Sequence, residues 1–218
     1  MVMSCPNLEA LHLRVPNDGM RYEWFVDDVN VLHDFGVLPG DKFPPLRGLV
    51  YESRFTGFQS GTRPFISTSY WDWSRIRHLE LRGQNMIRFV KEITGQIEYL
   101  ETLKVENFCN VHYAHEYATQ VLNDFISEIG GLVNVELINA NVVLPVSTFT
   151  RLGSTLNRHC YHKPVYPWVR PCLIYPPPFS QEELGSISED CPHLTSLTLH
   201  MFIEEDLVTN PLTNLFLC

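Results

Sequence analysis

One spacing recurs along the chain and limits what it can fold into: an apolar residue, two of any kind, a second apolar residue, one of any kind, and a third. CPNLEALHL near the start fills this L-x-x-L-x-L template with Leu8, Leu11 and Leu13, and CPHLTSLTL fills it with Leu194, Leu197 and Leu199. Between them come Leu46, Leu49 and Tyr51; Ile76, Leu79 and Leu81; Leu100, Leu103 and Val105; and Leu132, Val135 and Leu137. NPLTNLFL adds Leu212, Leu215 and Leu217, and a weaker copy places Leu156 first with His159 and Tyr161 behind it.

The last two apolar positions of each copy are two residues apart, so in a short strand they point to one face and the residue between them points to the other. The first apolar residue enters the same interior through a turn. One copy cannot bury that face alone; copies stacked side by side make a parallel sheet with a continuous apolar ladder, each fully buried leucine contributing roughly 1.5 to 3 kcal/mol. Successive copies begin 18 to 38 residues apart, which brackets the leucine-rich repeat period of about 20 to 29 with several units enlarged. The expected fold is α/β: a leucine-rich repeat solenoid whose curved parallel sheet carries helices and irregular segments on its convex side. We expect one domain over 1–218, of about seven to eight irregular units.

Helices are expected on the return paths, at 27–35, 85–93, 115–130 and 180–191, with a shorter one after Pro145 and Gly153 near its end. The clearest is 115–130, where Ala118, Val121, Leu122, Phe125, Ile126 and Ile129 form one stripe before Gly130-Gly131. Two stretches break the rhythm and read as long insertions, 52–72 and 163–179. The second holds six prolines, which exclude regular helix or an interior strand over most of it. It reads as a rigid loop packing Trp168, Leu173 and Ile174; its Pro176-Pro177-Pro178 run is only a weak pointer to a proline-recognising partner.

Composition narrows the function classes. A formal net charge of -9 and the lack of a basic run argue against gripping nucleic acid or an anionic membrane. No segment has the length and apolarity of a membrane span, and MVMSCPNL lacks the pattern of a signal peptide, so a cytoplasmic or nuclear location is expected. The six cysteines have no regular spacing and are expected to be reduced.

No nucleotide-phosphate loop, dinucleotide fingerprint or hydrolase elbow occurs. Cys109-x-x-His112-x-x-His115 gathers three metal-ligand types without a fourth nearby, and His159, Cys160, His162 and the distant Cys172 form a second candidate. Both read as structural, and we expect no metal, no cofactor and no catalysis. The alternatives are a repeat scaffold with another role, or a metal protein or enzyme using these Cys and His groups.

If the template forms strands, the residues between and just after the interior positions line the concave face. The expected partner-binding set is His12, Arg14, Glu80, Arg82, Lys104, Glu106, Glu136, Thr198 and His200. Mixed charge on a rigid sheet suits a protein target better than a uniform phosphate backbone.

With CPNLEALHL, CPHLTSLTL, WDWSRIRHLEL and VLNDFISEIGGLVNVELI before Leu144-Pro145, the chain resembles the leucine-rich repeat region of fungal F-box proteins. The resemblance spans most of the chain. It implies target recognition for ubiquitination, with the repeats selecting the target. Nothing ahead of Cys5 matches the F-box helices, so a Skp1-type adaptor is expected as a partner only if an F-box lies upstream.

Overall fold

The structure, a computed structural model, describes residues 7–15, 42–53, 71–83, 86–108, 115–140, 142–162 and 179–199. Seven strands form one parallel sheet in sequential order: β1 (Ala10–Val15), β2 (Gly48–Ser53), β3 (His78–Gly83), β4 (Thr102–Glu106), β5 (Asn134–Ile138), β6 (Arg158–His162) and β7 (Ser196–Leu199). Among the described residues four helices lie between them: α1 (Ile87–Ile93), α2 (His115–Ser127), α3 (Val146–Leu152) and α4 (Gln181–Asp190). The expected helix at 27–35, most of both insertions and the template at Leu212 lie outside the described residues.

Each strand coincides with one copy of the template, and the register is the one the template requires. Leu11, Leu49, Leu79, Leu103, Val135, His159 and Leu197 stand side by side as one row, and Leu13, Tyr51, Leu81, Val105, Leu137, Tyr161 and Leu199 as a second. First-position residues Leu46, Ile76, Leu100, Leu132 and Leu156 are all buried in the same core. A one-residue slip would turn every rung outward, so burial and register enforce each other.

Backbone hydrogen bonds tie the turns together with the same period. The carbonyl of Arg47 accepts from the amides of Arg77 and His78, that of Arg77 from Glu101 and Thr102, and that of Glu101 from Val133 and Asn134. Val133 and Asn157 continue the series. Asn107 and Asn139, just after β4 and β5, adopt left-handed φ values of 56° and 51°, a conformation asparagine tolerates. Their amides donate to the Ile138 and His162 carbonyls of the next strand.

The helices cover one face of the sheet. From α1, Phe89, Val90 and Ile93 are buried, and Phe89 stacks on Tyr51 of β2 with ring centres 5.0 Å apart. The stripe read in 115–130 is buried as expected, although α2 ends at Ser127. From α3, Phe149 meets the His159 ring edge-on at 4.8 Å and Phe179 at 5.4 Å. α1 packs on α2 and α3 on α4, while α2 and α3 touch less.

α4 begins with a reciprocal cap. The Glu183 amide donates to the Ser180 hydroxyl at 3.2 Å, and the Ser180 amide donates to the Glu183 carboxylate at 2.7 Å. Ser180→Ala should lower the melting midpoint by about 2–4 °C without changing the sheet, as thermal unfolding would measure.

Candidate functional site

Strand alternation sends the residue between the two buried rows to the opposite face. His12, Val50, Glu80, Lys104, Glu136, Cys160 and Thr198 form that row in register. Arg14, Glu52, Arg82, Glu106, Ile138 and His162 form the next. Of the expected partner-binding residues, His12, Arg14, Glu80, Arg82, Lys104, Glu106, Glu136 and Thr198 therefore share one face. His200 lies outside the described residues.

What links these side chains is a lateral run of ion pairs. On β3, Arg82 Nε donates to Glu80 Oε1 at 2.8 Å and lies 4.0 Å from Glu106 on β4. Lys104 Nζ is 3.1 Å from Glu80 and 4.0 Å from Glu136, bridging β3 to β5. Arg158 of β6 reaches Glu136 at 3.5 Å. At the other end Arg14 and His12 of β1 approach Glu52 of β2 at 3.3 and 3.6 Å.

Spacing between hydrogen-bonded strands makes this arrangement possible, because residues in register are about 5 Å apart and long side chains bridge the gap. Glu80 and Glu136 are only 18% and 22% exposed, so their pairings form in a less screened setting than open surface. Burial works against the Glu80 charge, but hydrogen bonds from Arg82 and Lys104 outweigh it and hold its carboxyl below the usual range. The hydrogen bond to Glu80 in turn raises Arg82.

Arg158 belongs to this network but not to the residues drawn from the sequence, whereas Glu52 stands in the row just after the interior positions that the sequence already assigns to this face. Arg158 stands one place before the first interior strand residue, a position that alternation also sends outward. Asn134 and Thr102, in that same row, are joined by a hydrogen bond of 3.4 Å. Counting only the paired residues, Arg14, Arg82, Lys104 and Arg158 oppose Glu52, Glu80, Glu106 and Glu136. The network is neutral overall, and the chain's net -9 is not concentrated on it.

The Cys and His candidates separate. His159 is turned into the core at 1% exposure, whereas Cys160 and His162 belong to the opposite face. Burial raises the Cys160 thiol, with the Glu136 charge adding to the effect, so it is held as a neutral thiol rather than an activated nucleophile. Cys109, His112 and Cys172 lie outside the described residues. Among the described residues no group of three His, Cys, Asp or Glu side chains could hold a metal ion, and no helix is long and apolar enough to cross a membrane.

A cavity of about 510 Å³ opens beside the loops that precede β3 and β4, bounded by Lys42, residues 71–74, Gln96, Glu98 and Tyr99. Its tryptophans are engaged elsewhere: Trp71 stacks on Phe43 at 4.4 Å and on Trp73 at 5.5 Å, and each indole is 5% exposed. The Asp72 carboxylate accepts from both the amide and hydroxyl of Ser74. Tyr99, 59% exposed with the Arg77 guanidinium 5.5 Å from its ring centre, leaves aromatic surface open in this wall. No family model, no curated protein and no solved structure matches the chain.

Proposed function

We propose that this chain is a noncatalytic interaction module of the leucine-rich repeat kind. In this reading the sheet is curved, the helices lie on its convex side, and a protein target docks on the concave face. One observation carries the reading: a neutral run of alternating charges, ion-paired from strand to strand across β3 to β6 on the face opposite the helices. A partner with complementary alternation could exchange pairs with it, whereas a phosphate backbone would meet as many carboxylates as cations.

The biological setting we propose is target selection in an F-box-type ubiquitin ligase inside the cell, as the resemblance of CPNLEALHL and CPHLTSLTL implies. Adaptor recruitment would then depend on an F-box outside this sequence.

The test is affinity capture with the wild type and with the triple reversal Glu80→Lys, Lys104→Glu, Glu136→Lys. That variant keeps opposite signs along the row but sets Arg82 and Arg158 beside like charges, so its melting midpoint should fall while staying above the capture temperature. Capture of the wild-type partner should disappear with the fold retained by circular dichroism. Capture at unchanged affinity removes the basis for this docking face. A Skp1-type adaptor among the captured proteins supports the ligase setting; a reproducible partner without one points to a scaffold outside ubiquitination.

A further inference from the structure

His159 occupies a rung that six other strands fill with leucine or valine. It is 1% exposed, its Nδ1 has no hydrogen-bond partner, and its ring meets Phe149 edge-on. Phe149 also contacts Phe179, and its carbonyl accepts from the Cys191 thiol at 3.4 Å, so the same cluster seats α3 and the end of α4. Thr150 and Asp190 hydrogen-bond directly between the two helices at 2.5 Å. Toward the rest of the domain α3 makes fewer contacts, the Thr148–Asn123 hydrogen bond among them.

We propose that His159 is an acid-sensitive latch: its protonation loosens α3 and α4 from β6 while the sheet from β2 to β6, with α1 and α2, stays closed. A second proton on this imidazole would place a charge in an apolar layer. The row neighbours Val135 and Leu197 offer no carboxylate, and the aromatic neighbours Phe149 and Phe179 offer none either. The titratable groups of the same layer are the Tyr161 phenol and the Cys191 thiol, and burial raises both, so they stay neutral as His159 titrates. No charged side chain shifts the ring's ionisation; burial lowers its pKa from 6.5 to about 4, against a smaller opposing hydrogen bond to the Val135 backbone.

The sign follows from linkage. The opened form binds the proton near pH 6.5 and the closed form only near 4, so closure is fully favoured above 6.5 and is weakened progressively as pH falls toward 4. β6 keeps its ladder to β5, so the opening is confined to the helical layer, where α3 and α4 touch α2 less than they touch each other.

Hydrogen exchange at pH 7 and pH 5, corrected for intrinsic rates, tests this. Peptides within 146–156 and 180–190 should lose about 20-fold in protection between those values, and peptides within 78–106 should lose much less. His159→Leu, which restores the apolar rung, and His159→Gln, which keeps a neutral polar group, should both abolish the difference; the second separates protonation from mere stabilisation. Equal loss in these variants, or loss spread evenly over β2 to β6, overturns the proposal.

Discussion

Gly153→Ala should destabilise the protein by about 3 kcal/mol or more, against the usual direction of that exchange. Gly153 caps the C-terminal end of α3 with right-handed helical angles, φ -54° and ψ -31°, which alanine adopts without strain. On local grounds the substitution would stabilise by about 0.4 to 1 kcal/mol through the unfolded chain. The tertiary contact decides otherwise. A Cβ at Gly153 would stand 1.9 Å from the Asp190 carbonyl oxygen and 2.9 Å from its carbon. Those are backbone atoms at the end of α4, so no side-chain rotation relieves the overlap. The helices must part, straining the Thr150–Asp190 hydrogen bond and the Cys191 contact with Phe149.

Gly185→Ala is the internal control. Gly185 lies inside α4, and a Cβ there meets nothing within 4 Å. It should gain about 0.5 to 1 kcal/mol from helix propensity. Denaturant unfolding of both variants measures the contrast. If the two shift stability in the same direction, the close approach of α3 and α4 is wrong.

Lys104→Glu is the second large effect. Lys104 is 30% exposed and joins Glu80 to Glu136, so reversal sets three carboxylates side by side on adjacent strands. Like charges directly opposite destabilise a sheet, and loss of one partner from a partly buried pair costs more than loss of a surface pair. About 2 kcal/mol is expected, falling when salt screens the repulsion. Lys104→Met should cost less, since it removes the cation but adds no charge and keeps the stem over the sheet. Unfolding curves at low and high salt distinguish the two variants. Equal losses, insensitive to salt, would mean that the lysine contributes packing alone.

Much of the fold was legible because two independent periodicities coincide in the chain. The period of two within each template chose the buried rows, and seven of the eight copies of the template stand as neighbouring strands among the described residues. Even the defective copy at Leu156 was readable: His159 and Tyr161 sit on the rungs their spacing assigns, one polar ring in an apolar ladder. Helix ends were less legible. The stripe through Ile129 is buried, yet α2 stops at Ser127, because a buried residue need not be helical.

The candidate face was legible as a set of positions and not as a network. Alternation placed Glu80, Lys104 and Glu136 on one face with Arg82 beside Glu80, but only the packing of neighbouring strands brings Arg158 to Glu136 and Arg82 to Glu106. The same pattern that placed Cys160 on the open face said nothing of its burial at 5% exposure, which depends on neighbours from other strands.

By itself the sequence determined which side chains face inward and in what order the strands lie, since both follow from spacing along a single chain. The tertiary structure alone decided how close α3 comes to α4, why Gly153 admits no side chain, and which charges neutralise one another. Those depend on distances between segments tens of residues apart, and no local pattern of hydrophobicity encodes a distance of that kind.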